Sequence, residues 1–163
     1  MNKILFYVFC SLSANLVIGQ TTIPLMTAKQ SNLPAFSITK VPDSSRFDKV
    51  NLQKNKAVII MVFSPDCEHC QVRIKEIMAN IKLFKNIQLL MVSNLGYTYI
   101  NRFYKEFNIN KYPNIIMGMD YRYQLGNFFT ITSVPAFFLY NKNGKFVKAF
   151  DRDVPIKKII GAL

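Results

Sequence analysis

The sequence predicts an α/β domain built on a mixed central sheet, with helices on both faces and a β-hairpin in front. Three observations carry this. Residues 57–63 form an unbroken apolar, β-branched run closed by Ser64-Pro65-Asp66, the pattern of a strand buried on both faces. That run is followed by alternating helical and strand-like segments, and such alternation implies parallel pairing. Near the C-terminus, residues 134–140 and 145–150 flank Asn141-Lys142-Asn143-Gly144, an antiparallel hairpin whose Gly144 suits a positive φ. At 163 residues, 50% hydrophobic and 13% aromatic, the chain suits one domain with a core that needs no structural disulfides.

In chain order, residues 1–19 read as a signal peptide. Lys3 supplies the positive start, residues 4–12 an apolar run, and Val17 and Gly19 the −3 and −1 positions of a cleavage site. The alternative is an uncleaved membrane anchor, since residues 4–18 fall only slightly short of a span. Cys10 lies inside the apolar run behind Phe9, without the small residue expected before a lipidated cysteine. The expected location is exported, periplasmic or extracytoplasmic, and membrane-anchored if the segment stays. Residues 20–34 are polar with scattered Pro and Thr, a linker or irregular arm. Residues 35–163 form the domain.

Within it, residues 35–40 alternate, with Phe36 and Ile38 on one face. Residues 41–45 signal a turn, and residues 47–52 return as a second strand. After the strand at 57–63, Cys70, Ile74, Ile77, Met78, Ile81 and Phe84 recur at helical spacing. Residues 87–92 are a further apolar strand. Ile100, Phe103, Tyr104 and Phe107 mark a second helix, and residues 114–117 a short strand. Residues 120–133 read only as a loop or a short helix. Ile156, Ile159, Ile160 and Leu163 give a closing helix over 154–163.

The net charge is +12, from 21 Lys+Arg against 9 Asp+Glu. Such an excess suits nucleic acid, acidic membranes or acidic partners, or simply solvated side chains. No basic run exceeds Lys157-Lys158 and there is no Gly- or Arg-rich tail, so nucleic-acid binding is not expected.

Once Cys10 is removed with the signal peptide, Cys67 and Cys70 remain. Two residues apart, they close too short a loop to act as a staple, so they read as a reactive pair. Cys67 opens an amphipathic helix directly after a buried strand. A helix start offers unpaired N–H groups and a partial positive charge, which favour a thiolate. Cys70 lies one turn later, placed to attack a mixed disulfide at Cys67. Of the intervening residues, a protonated His69 favours the thiolate and Glu68 disfavours it, so these two are read as tuning the pair. Zinc usually takes four ligands, and His69 is the chain's one histidine, so no metal site is expected. Copper(I) carriage by the two thiols is kept as an alternative. No dissociable cofactor is needed, because the cysteine pair is itself the redox centre.

The segment Phe63-Ser-Pro-Asp-Cys-Glu-His-Cys-Gln71 resembles the active-site segment of thioredoxin-like proteins. Thr132-Ser-Val-Pro-Ala-Phe-Phe-Leu-Tyr-Asn-Lys-Asn-Gly144 resembles their cis-proline strand and hairpin. With a signal peptide and extra leading strands, the exported TlpA/ResA type is the nearest resemblance, over residues 35–163. The resemblance implies a thioredoxin fold, with Cys67 attacking and Cys70 resolving. It implies a cis Pro135 facing the pair and Val134 offering backbone groups to a substrate segment. It further implies a thiol–disulfide oxidoreductase of exported proteins, monomeric, with protein thiols or disulfides and an exported or membrane electron donor as partners. Two departures stand out. Asp66 occupies the place of a common Trp, and Met61 that of a common buried acid. A binding module without turnover and a thiol peroxidase are the alternatives. For the peroxidase, Ser64 fits the motif's Thr position but Ile60 replaces its Pro.

Overall fold

The computed structural model describes residues 31–163; the signal-peptide reading and most of the 20–34 arm lie outside the described residues. The strands are β1 (Ser37–Lys40), β2 (Arg46–Asp48), β3 (Ala57–Val62), β4 (Ile87–Ser93), β5 (Ile115–Met119), β6 (Ala136–Tyr140) and β7 (Phe146–Phe150). The helices are α1 (Glu68–Ala79), α2 (Tyr97–Glu106), α3 (Gln124–Phe129) and α4 (Ile156–Ile160). The seven strands form one sheet in the order β2-β1-β5-β4-β3-β6-β7. β3, β4 and β5 run parallel, with Ile59 opposite Leu89 and Leu89 opposite Ile115. β6 is antiparallel to β3, β7 to β6, and β1 to both β2 and β5.

The apolar runs occupy the middle of this sheet, as two-sided burial requires. Every residue of β4 is buried. Its polar Gln88 is accommodated because its Oε1 accepts the Gln53 N–H at 3.0 Å. Alternate residues of β3 enter two cores. Ile59 and Met61 pack with Cys70, Ile74 and Ile77 of α1, Ile100 and Phe103 of α2, and Ile156 and Ile159 of α4. Val58, Ile60 and Val62 face Leu125 and Phe129 of α3, together with Phe36 and Phe47 of the hairpin. Topology explains the unequal split. The crossovers from β3 to β4 and from β4 to β5 move the same way across the sheet and leave α1 and α2 on one face. The return from β5 to β6 moves the other way and carries α3 to the opposite face, where Phe129 stacks on Phe138 at 3.7 Å between centroids.

Two readings change. The return strand expected over 47–52 stops at Asp48, and Lys49–Asn51 form a single 3₁₀ turn. Asn51 Oδ1 takes the Asp48 N–H at 2.8 Å, and Val50, apolar in sequence, is 87% exposed. The helical periodicity running to Phe84 spans two elements. Asn80 closes α1 by donating its side-chain amide to the Glu76 carbonyl at 2.9 Å, and a 3₁₀ segment, Ile81–Phe84, still buries Phe84. The stretch 120–133, read as a loop or a short helix, contains the short helix α3.

The two expected turns are present. The 41–45 turn has a cis Val41–Pro42 bond, and Gly144 has φ +71°. Leu33, near the end of the arm, is buried and donates its N–H to the Gly144 carbonyl at 2.8 Å. Gly118 lets β1 approach β5, because a Cβ there would lie 2.7 Å from the Thr39 carbonyl oxygen.

Candidate functional site

The site sits at the C-terminal ends of β3 and β4, where the chain leaves β3. Phe63 extends the ladder by one residue, its N–H donating to the Val92 carbonyl at 2.9 Å. Ser64-Pro65-Asp66 then turns the chain, and the Cys67 N–H closes the turn on the Ser64 carbonyl at 3.1 Å. Cys67 is the N-cap of α1, with extended φ −88° and ψ 116°. Its carbonyl receives the N–H groups of Cys70 and Gln71 at 3.0 and 3.1 Å. Its sulfur therefore lies where the helix's unpaired N–H groups begin. The Gln71 side-chain amide donates back to the Pro65 carbonyl at 3.1 Å, tying the first turn of the helix to the turn before it.

The two sulfurs occupy different environments. Both are free thiols; Cys67 is half-buried and Cys70 is 0% exposed, within the core of α1 and β3. Burial pushes the Cys70 thiol well above the ordinary thiol range; the adjacent Cys67 sulfur raises it further, and a backbone hydrogen bond from Ser64 pulls partly back. The Cys67 thiol lies within 3.7 Å of the Val134 carbonyl oxygen, to which it donates. The Val134–Pro135 bond that follows is cis. Residues 67 positions apart in sequence are thus brought together, Cys67 and Cys70 from the β3–α1 junction and Val134 and Pro135 from the entry to β6.

Glu68 and His69 are placed differently. Both are exposed on the first turn of α1, on the rim of a shallow cleft with Val72, Arg73, Arg152 and Asp153. Neither side chain hydrogen-bonds to Cys67 or Cys70. Met61 is fully buried between Met91 and Phe137, so the place of the common buried acid is apolar on both sides. Among the described residues no group of three or more His, Cys, Asp and Glu is arranged to hold a metal ion.

Three supporting side chains carry no recognisable signal in the sequence. Gln71 is one. Asp120, 2% exposed, accepts the N–H groups of Gln124 and Leu125 at 2.9 and 2.8 Å and so begins α3. Its spacing to α3 is masked because Tyr123 turns left-handed, with φ 52°. Glu76 pairs with Arg73 and accepts the Ile156 N–H at 2.9 Å, joining α1 to α4. Helical spacing places Arg73 and Glu76 together but cannot show that α4 starts on them.

No protein-family model and no curated protein matches the sequence. Solved structures do. StoA from Bacillus subtilis is 14% identical, with 81% of this chain and 98% of that one covered, at a TM-score of 0.58. The exposed lipoprotein thioredoxin Etrx1 from Streptococcus pneumoniae is 20% identical, with 80% and 100% covered, at 0.62. A secreted Mycobacterium tuberculosis disulfide oxidoreductase, homologous to Escherichia coli DsbE, is 15% identical, with 83% and 98% covered, at 0.62. The chain has the thioredoxin fold. In this thioredoxin fold β1 and β2 form the leading hairpin that the sequence suggests, paired through β1 onto β5. Among the described residues no helix is long and apolar enough to cross a membrane.

Proposed function

We propose that this chain is a thiol–disulfide oxidoreductase acting on exported proteins, with Cys67 as the attacking thiol and Cys70 as the resolving one. The observation that carries the reading is the asymmetry of the pair. One sulfur is accessible at a helix start and beside the Val134 carbonyl, while the other is buried behind it. Thiol–disulfide exchange needs one accessible thiolate and one protected thiol in reach of it.

In the reducing direction, the Cys67 thiolate attacks a substrate disulfide. A Cys67–substrate bond forms, the substrate S–S bond breaks, and the departing substrate thiolate takes a proton from water. Cys70 then gives up its proton, which the departing second substrate sulfur takes, and attacks the Cys67 sulfur. The Cys67–Cys70 disulfide forms and the second substrate thiolate leaves, so the substrate gains two electrons and the pair loses two. Burial holds Cys70 protonated at rest, which leaves Cys67 to make the first attack. Once Cys67 is in a mixed disulfide, its share in raising the Cys70 thiol is gone, which eases the second step. The Val134 carbonyl and the backbone at cis Pro135 offer edge groups to an extended substrate segment. The oxidising direction is the same sequence reversed. Export is supported by the character of residues 1–19 and by solved structures described as secreted and as an exposed lipoprotein. An exported or membrane electron donor would then restore the dithiol, with no dissociable cofactor.

The test is insulin reduction with dithiothreitol as donor. The wild-type chain accelerates it, and Cys67→Ser lowers the rate by about 100-fold or more, to background. A Cys67→Ser variant that keeps the wild-type rate would overturn the assignment.

A further inference from the structure

The end of the sheet opposite the cysteine pair has a chemistry of its own. β3, β4 and β5 all start there, β6 ends there and β7 starts there. Four connections meet at this pole, residues 52–56, 80–86, 107–114 and 141–145. They contain Lys54, Lys56, Lys82, Lys85, Lys111, Lys142 and Lys145, and no Asp or Glu. Three of the connections adjoin closely enough that Lys56, Lys82, Lys85 and Asn114 line one open cleft. All seven lysines are exposed except Lys56, which is half-buried. Among the described residues none of them forms a salt bridge; Lys145 donates to the Asn32 side chain at 2.8 Å.

The geometry points to this lysine pole as a docking surface for the anionic face of a lipid bilayer. Crowding cations without counter-charges costs free energy through repulsion, whereas solubility alone is served by interspersed signs. The cations are spread over four loops around an open cleft, which suits an extended anionic surface better than one small anion. The chain's entry into the domain selects the bilayer. Asn32 bridges to Lys145 and Leu33 bonds to Gly144, so the segment holding the apolar run 4–12 joins the domain at this same pole. A membrane that receives that run is tethered to the domain from the lysine side. The loops around Cys67 carry Asp66, Asp120, Asp151 and Asp153 against Arg122 and Arg152, so an anionic surface turns that pole away and leaves Cys67 facing outward. If the apolar run is cleaved, the lysines act alone, as a salt-sensitive attachment. The inference is independent of the redox reading.

The test is flotation of the full chain with vesicles of phosphatidylcholine alone, or with about 30% phosphatidylglycerol. The anionic vesicles should retain roughly tenfold more protein at low salt. That gain should vanish at about 0.5 M salt. The combined Lys54→Gln, Lys56→Gln, Lys82→Gln and Lys85→Gln variant should lose it. A control with the same charge change elsewhere, Lys75→Gln, Arg102→Gln, Arg122→Gln and Lys157→Gln, should keep it. Equal binding to neutral vesicles, or equal loss in both variants, overturns the proposal. So does tighter binding to a DNA duplex than to the anionic vesicles.

Discussion

The two poles of the sheet treat their charged residues differently. Away from the lysine pole, carboxylates are bound into the backbone: Asp120, at the cysteine pole, starts α3, and Glu76, on α1, receives the first N–H of α4. At the lysine pole, the cations hold nothing together among the described residues, apart from Lys145 and its contact with Asn32. Charges consumed by capping and pairing fix a geometry, while charges left over define a surface. The overall +12 hides this, because the excess is concentrated away from the chemistry.

The largest expected effect on folding comes from the fixed charges. Glu76→Ala removes the partner of Arg73, whose side chain is only 12% exposed, and the acceptor for α4. It should cost about 3 kcal/mol in urea unfolding, and Asp120→Ala about 2 kcal/mol. The same experiment on Lys54→Gln or Lys142→Gln should give less than about 0.5 kcal/mol. Equal costs at the two poles would erase the distinction.

A smaller effect distinguishes the poles by pH. Burial raises the Cys70 thiol above its unfolded value of about 8.5, so the folded chain binds that proton more tightly than the unfolded one. The stabilisation is full below about pH 8.5 and is lost as pH rises, by up to about 1.4 kcal/mol per unit. Unfolding of the reduced and oxidised forms between pH 7 and 10 checks this, since the disulfide has no thiol to titrate. Only the reduced form should show the loss from this source.

The smallest effect belongs to the lysine pole. Tyr140 ends β6 fully buried, with no hydrogen-bond partner for its hydroxyl among the described residues and with its ionisation pushed up by burial. Tyr140→Phe should leave stability unchanged or raise it by up to about 1 kcal/mol at neutral pH, because no hydrogen bond is lost. A loss of more than that in thermal unfolding would point to a partner for the hydroxyl.

The sequence was most legible where one physical signal acted alone. The apolar run at β3 fits a doubly buried strand, and the CxxC at its exit opens the helical spacing of α1. Periodicity failed where a cap intervened. Asn80 interrupts an apolar stripe that continues to Phe84, so one pattern covers two elements. Val50 reads as a strand residue but points to solvent, because Asn51 caps the chain back on Asp48. In residues 120–133 the aromatic Tyr121 and Tyr123 obscure the one residue that matters, Asp120. At the site, Val134 and Pro135 came from resemblance rather than from spacing, and no local pattern links them to Cys67. Glu68 and His69 are read as tuning the pair, but both are exposed, so the charge they present to Cys67 is screened by solvent.

The central claim is that Cys67 and Cys70 play unequal parts. Trapping tests it most directly: Cys70→Ser and Cys67→Ser variants are incubated with disulfide-bonded substrate proteins and run on non-reducing gels. Cys70→Ser should accumulate mixed disulfides through Cys67, because the resolving attack is missing, and Cys67→Ser should accumulate none. Equal trapping by both variants, or trapping by Cys67→Ser alone, would contradict the account.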